Sequence, residues 1–231
     1  MSVRAEPGRS NGRLAGWLLL VGTLAALGYA ARLSGDGTPD RDFLYTWTAV
    51  VGGVIQFGIM LALVLALAAG GPIRELLGLR RPRSWGVAAA LVVGILVGTL
   101  ALGAALDPFL QAGAEQGLTP EGWDPERAAP FVANFILIAG FVPIIEELTF
   151  RGIGYSLLGR FGAFAAVAGT AVLFGLAHGL VEALPILVAF GLGLAWLRRT
   201  ADSVLPCIVL HSIFNGLALL ASVTLAGNSG G

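Results

Sequence analysis

The sequence predicts an all-α fold, a polytopic membrane bundle of about seven helices, with six to eight allowed by the uncertain block ends. Three observations lead there. Of 231 residues, 56% are hydrophobic and only 12% are charged, too few charges to keep a soluble domain of this length dispersed. Mean hydropathy is +0.84. The apolar residues also come in unbroken blocks, several reaching the ~18–20 residues that cross a hydrocarbon core of about 30 Å. The formal charge of zero leaves no basic patch for nucleic acid. Cys207 is the single cysteine, so an internal disulfide and a cysteine-rich metal site are both excluded.

The first block, residues 14–31, follows Arg4, Arg9 and Arg13. It is long for the apolar region of a cleaved leader, so it is expected to be a retained helix. The second block spans residues 45–69 and ends at Gly-Gly-Pro, with Arg74, Arg80, Arg81 and Arg83 beyond it. Trp85 opens the third, which runs to residue 106. A connection rich in Gly, Pro and acids then covers residues 107–130. A fourth block starts at Phe131 and extends towards residue 158; the fifth, sixth and seventh cover 162–180, 184–197 and 205–225. Glycines and prolines set these ends.

Orientation follows from the arginines, which make up all 14 basic residues. An N-terminus in the cytoplasm puts Arg4, Arg9, Arg13, Arg74, Arg80, Arg81, Arg83, Arg160, Arg198 and Arg199 on that side, against Arg32, Arg41 and Arg127 outside. That is the positive-inside pattern of a multi-pass cell-membrane protein. The chain then divides into a cytoplasmic tail (1–13), supporting helices with an acidic external loop (14–130), a membrane core carrying the polar motifs (131–225) and a C-terminal tail (226–231). Gly94 and Gly98 have the small-residue spacing of a helix contact, which serves a dimer or, more commonly and as expected here, packing within the bundle.

Charge intrudes on the fourth block at FVPIIEELTFRG. At about 100° per residue, Glu147 and Arg151 share a helix face, whereas Glu146 points about 140° away from Arg151. Glu147 therefore has an intrahelical partner and enters the membrane without net charge, which leaves Glu146 as the reactive carboxylate. The competing reading is a helix that ends near Pro143, with its charges solvated. The fifth block carries His178 in AVLFGLAHGL, one turn after Phe174 and flanked by Gly175 and Gly179. The seventh carries His211 and Asn215, four apart on one face. Singly, each is an ordinary buried polar residue. Together they place one acid, both histidines of the chain and an amide on helices that can pack together.

These residues carry a resemblance. EELTFR is similar to an EExxxR motif, FGLAH to FxxxH, and HSIFN to HxxxN, in order and over residues 131–220. The chain resembles the CPBP family of CAAX proteases and bacteriocin-processing enzymes, also called Abi or Rce1-like. The resemblance implies an intramembrane endopeptidase acting on a membrane-associated peptide or protein tail. It implies that Glu146 and His178 activate a water, that His211 and Asn215 donate to the oxyanion, and that Glu147, Arg151 and Phe174 support them. The alternative it leaves is a non-catalytic bacteriocin-immunity or regulatory protein of the same fold. A small proton-relay transporter is a third reading, weakened by the lack of an inverted repeat.

The expected chemistry needs no cofactor. If a zinc ion takes part, Glu146, His178 and His211 are its candidate ligands, without the HExxH helix of ordinary zinc proteases. Eukaryotic relatives cut prenylated CAAX tails. The short, lysine-free chain points instead to a bacterial protein and a secreted peptide or membrane-anchor remnant. Uniform helix rise puts Glu146, His178 and His211 at ~18, ~24 and ~10 Å from their cytoplasmic helix ends, so a kink, a tilt or a shifted boundary must bring them level.

Overall fold

A computed structural model describes residues 7–34, 42–106, 108–110, 112–115, 120 and 122–226. Residues 1–6 with Arg4, Arg41, the acids Asp107 and Glu121, and residues 227–231 lie outside the described residues. Seven long helices follow one another among the described residues: α1 (Pro7–Ser34), α2 (Trp47–Ala68), α3 (Trp85–Leu106), α4 (Ala128–Phe161), α5 (Ala163–Ala177), α6 (Leu184–Ala201) and α7 (Leu205–Ala226). Six are long and apolar enough to cross a membrane; α5 is apolar and shorter, at 15 residues. The protein is a multi-pass helical membrane bundle.

The most apolar stretches of α4 and α6 bury 44% of their residues, those of α1, α2 and α3 only 11%. So α4 and α6 are central, and the first three helices surround them. Their outward faces carry Val51, Ile55 and Ile59 on α2 and Val93 and Val97 on α3, which only a lipid surrounding accommodates without cost. Gly94 and Gly98 share that outward stripe of α3, and a Cβ on either would meet nothing within 4 Å. The expectation that they pack within the bundle is therefore not met. The α3 contact with α6 runs through Ile95 and Gly193 instead.

Glycine sets the closest approach in the α5–α6 hairpin. A Cβ on Gly191 would sit 3.0 Å from the Ala171 Cα and carbonyl oxygen, so the two backbones touch. At the end of α5, Gly179 takes φ +66° and lies against the Gly28 backbone of α1. An L side chain there has neither the conformation nor the space.

In α4, two π-helical segments, Leu137–Phe141 and Leu148–Gly154, flank a short α-helical stretch, Val142–Glu147. Widened turns misalign the backbone ladder, and carbonyls there accept from outside the helix. Asn215 Nδ2 donates to the Ile138 carbonyl (3.0 Å), Trp17 Nε1 to that of Thr149 (2.9 Å) and Arg198 Nε to that of Arg151 (2.9 Å). Three other helices are thereby tied to α4. Arg198, expected among the loop arginines, is only 2% exposed. Its neighbour Arg199 stays outside, because the two project about 100° apart.

The α6–α7 turn is recessed. Residues 69–84 fold across it: Val204 N donates to the Gly78 carbonyl, Arg83 N to that of Ala201 (both 3.0 Å) and Ser203 Oγ to that of Arg80 (2.5 Å). Ser203 and Val204 are fully buried as a result. Leu77 of this cover lies on Gly152, where a Cβ would stand 3.0 Å from its carbonyl oxygen. Replacing Gly152 by Val is expected to lift the cover and to lower stability by about 1–3 kcal/mol, as overpacking does. Thermal unfolding in detergent measures it, and an unchanged midpoint contradicts this packing.

Candidate active site in the membrane core

Between α2, the first half of α4, the turn after α5 and the middle of α7 lies a cavity of about 860 Å³. Glu146, His178, His211 and Asn215 all line it, with Phe174. Helices separated by up to 69 positions in sequence thus deliver the four candidate residues to one space.

α4 continues through Pro143 to Phe161, so the reading of a solvated helix end is excluded. Glu147 and Arg151 are both 0% exposed and paired, Arg151 Nη1 to Glu147 Oε1 at 3.1 Å. Arg151 Nη2 also donates to the Gly191 carbonyl at 3.0 Å, tying α4 to α6, and its guanidinium lies 4.4 Å from the Phe174 ring centre. The same Glu147 Oε1 accepts from His211 Nδ1 at 2.9 Å. One carboxylate oxygen therefore neutralises the arginine and orients the histidine. This second role is not contained in the i, i+4 spacing.

Because Nδ1 of His211 donates to Glu147, Nε2 faces the cavity, 3.6 Å from Glu146 Oε2. The Glu146 side chain is 12% exposed, against 0% for Glu147, so the two adjacent acids divide between cavity and core. His178 follows the last residue of α5. Its Nδ1 donates to the Phe174 carbonyl at 2.7 Å, since a carbonyl only accepts, and this leaves the Nε2 lone pair for the cavity. Phe174 meets both imidazoles edge-on, 4.7 Å from His178 and 5.7 Å from His211 by ring centres, and so spaces them. Asn215 commits one N–H to Ile138 and retains a second.

Three polar residues of the cavity wall escaped the sequence reading. Asn134 donates to the carbonyls of Leu44 and Thr46 and anchors the start of α2 to α4. Gln56 lines the cavity from α2. Each is a lone carboxamide in an apolar block, and that signal was readable. Glu115, from the short helix Ala112–Glu115, pairs with Arg32 and accepts from the amides of Val181 and Ala183, both at 2.8 Å. It caps the start of α6 and steadies the turn that carries His178. Nothing in sequence separates it from the other acids of its loop.

Among the described residues, no group of three or more His, Cys, Asp or Glu side chains is placed to hold a metal ion. Glu146, His178 and His211 line one cavity without forming a ligand triad.

Residues 128–217 match the family described as type II CAAX prenyl endopeptidase Rce1-like. The match spans 90 of the 231 residues, a similarity to that family over this segment. It takes in α4, α5, α6 and most of α7, and every motif residue lies inside it. No curated protein and no solved structure matches the chain. The matched family is one of endopeptidases, and α2, outside the matched segment, completes the cavity.

Glu147→Gln is expected to leave Arg151 buried without a counter-charge and to free His211. The expected loss is about 3–5 kcal/mol, measured as thermal unfolding in detergent, with Arg151→Met as the reciprocal variant. A near-neutral Glu147→Gln contradicts the shared-oxygen geometry.

Proposed function

We propose that the protein is an intramembrane endopeptidase that hydrolyses a peptide bond in a membrane-associated peptide or protein tail with a water activated by Glu146 and His178. The observation that carries the reading is the convergence of Glu146, His178, His211 and Asn215 on one cavity inside an Rce1-like segment.

A water between Glu146 and the Nε2 of His178 gives one proton to Glu146 while His178 accepts a hydrogen bond from its second O–H. The oxygen bonds to the carbonyl carbon, and the C=O π electrons become an oxyanion. The free N–H of Asn215 donates to it. His211 donates from Nε2 when both its ring nitrogens carry protons, because Nδ1 already serves Glu147. Donors held in place in a low-dielectric site stabilise an oxyanion better than water does. Collapse breaks the C–N bond, and the proton on Glu146 passes to the leaving nitrogen. Arg151 and Glu147 position His211, and Phe174 holds the two imidazoles apart. No step draws on a metal.

The proposed orientation has the N-terminus in the cytoplasm. It rests on the arginine asymmetry, which persists once the buried Arg198 is removed from the count. In that frame, alkaline phosphatase fused after α7 is active and a fluorescent protein there is dark; the reverse pattern overturns the orientation.

With a quenched-peptide library in detergent, wild type is expected to cleave, and Glu146→Gln to lose about 10²-fold or more, the scale of a missing general base. His178→Ala falls comparably, and a zinc chelator leaves the wild-type rate within about twofold. Equal cleavage by Glu146→Gln refutes the mechanism. Immunity or regulatory function that survives both substitutions identifies the non-catalytic alternative.

A further inference from the structure

Gln56 is the one carboxamide on the α2 side of the cavity. Its side chain is exposed to the cavity rather than packed in protein, and among the described residues it has no hydrogen-bond partner, ten residues inside a membrane-spanning helix. A polar side chain left unsatisfied in that setting costs several kcal/mol against hydrocarbon, and it persists where it serves the content of a cavity. Ala49, Gly52 and Gly53 line the same cavity and precede Gln56 by seven, four and three positions, which places all four on one helix face. The lipid-facing Ile55 and Ile59 are apolar.

The small residues leave room along this face. A Cβ on Gly52 would meet nothing within 4 Å, whereas Gly53 lies against Leu137 at the first π turn of α4. Gln56 is one turn further along α2 than Gly53, in the direction in which α4 runs from Leu137 to Glu146. From Ala49 to Gln56 the face spans about 10 Å, the length of about three extended residues. The α2 side of the cavity thus presents small residues and backbone between Thr48 and Phe57, with Gln56 as its carboxamide.

We propose that this face of α2 is the substrate-binding wall of the site, and that Gln56 pairs with a backbone amide of an extended peptide one or two residues from the bond cut. A peptide unit in a water-poor cavity needs both a donor and an acceptor, and a carboxamide supplies both from one side chain. Backbone recognition of this kind selects for extended, unstructured peptide and for small side chains where the substrate crosses Gly52. Gln56 is thereby a binding residue for the proposed hydrolysis, and the inference rests on that reading.

Two arms test it. In the first, Glu146→Gln protein is irradiated in detergent with a biotinylated decapeptide pool that carries a benzophenone, and the adducts are mapped by mass spectrometry. Adducts are expected on α2 between Ala49 and Gln56, and to fall about fivefold or more in Gly52→Leu and Gln56→Ala. In the second, a quenched peptide cut by the wild type is expected to show KM raised about fivefold or more in Gln56→Ala, with kcat within about twofold. Adducts on α2 without wild-type cleavage uphold the wall and sink the proteolytic reading. Cleavage with KM unchanged in Gln56→Ala, or adducts that avoid α2, overturns the wall and spares proteolysis. Neither adducts nor cleavage overturns both.

Discussion

A single carboxylate oxygen organises the membrane core. Glu147 is fully buried, and its Oε1 accepts from Arg151 on its own helix and from His211 on α7. Removing a carboxylate from water is tolerable only with a close counter-charge and well-directed donors; Oε1 has both, while Oε2 has no partner among the described residues. The consequences spread outward. Arg151 reaches the α6 backbone, Arg198 of α6 reaches back to the Arg151 carbonyl, and His211 is turned so that its second nitrogen faces Glu146. The charge that makes the core demanding to bury also joins α4, α6 and α7 around one point.

The π turns of α4 supply the other half of the geometry. A straight α-helix keeps its carbonyls for itself. The segments on either side of Val142–Glu147 offer carbonyls to Asn215, Trp17 and Arg198 instead. The adjacent glutamates are thus held on a short stretch of regular helix, braced at both ends. Glu146 is aimed at the cavity while Glu147, its immediate neighbour, is sealed in the core. Asn215 belongs to both systems, since one amide hydrogen braces α4 and the other remains for the cavity.

Much of this was legible in one dimension. Block length and hydropathy revealed seven helices, and most boundaries lie within a few residues because glycines and prolines end them physically; α1 instead starts at Pro7, seven residues before its apolar block and inside the expected tail, since polar residues extend the helix without adding hydropathy. The Glu147–Arg151 pair followed from four-residue spacing alone, since that spacing brings the two Cβ atoms together on any helix. The three motifs marked residues 131–220, and the family match covers 128–217. Gln56 and Asn134 were visible as isolated carboxamides but were not weighed. Arg198 was misplaced because an arginine near a helix end reads as a loop residue; only the cover of residues 69–84 buries that end.

The depth mismatch shows where sequence stops. Even rise from assumed helix ends separated Glu146, His178 and His211 by more than a turn. The recessed α6–α7 turn starts α7 below the end of the bundle, α5 stops at His178, and α4 carries widened turns; no local pattern encodes any of these. What the sequence by itself determined is which segments are helices, which faces are apolar and which side chains are chemically capable, because periodicity and hydration act along the chain. What only the tertiary structure decided is which oxygen neutralises which cation, which imidazole nitrogen is free, and that α2 closes the cavity. Those depend on contacts between residues far apart in sequence, as between His211 and Glu147, 64 positions apart.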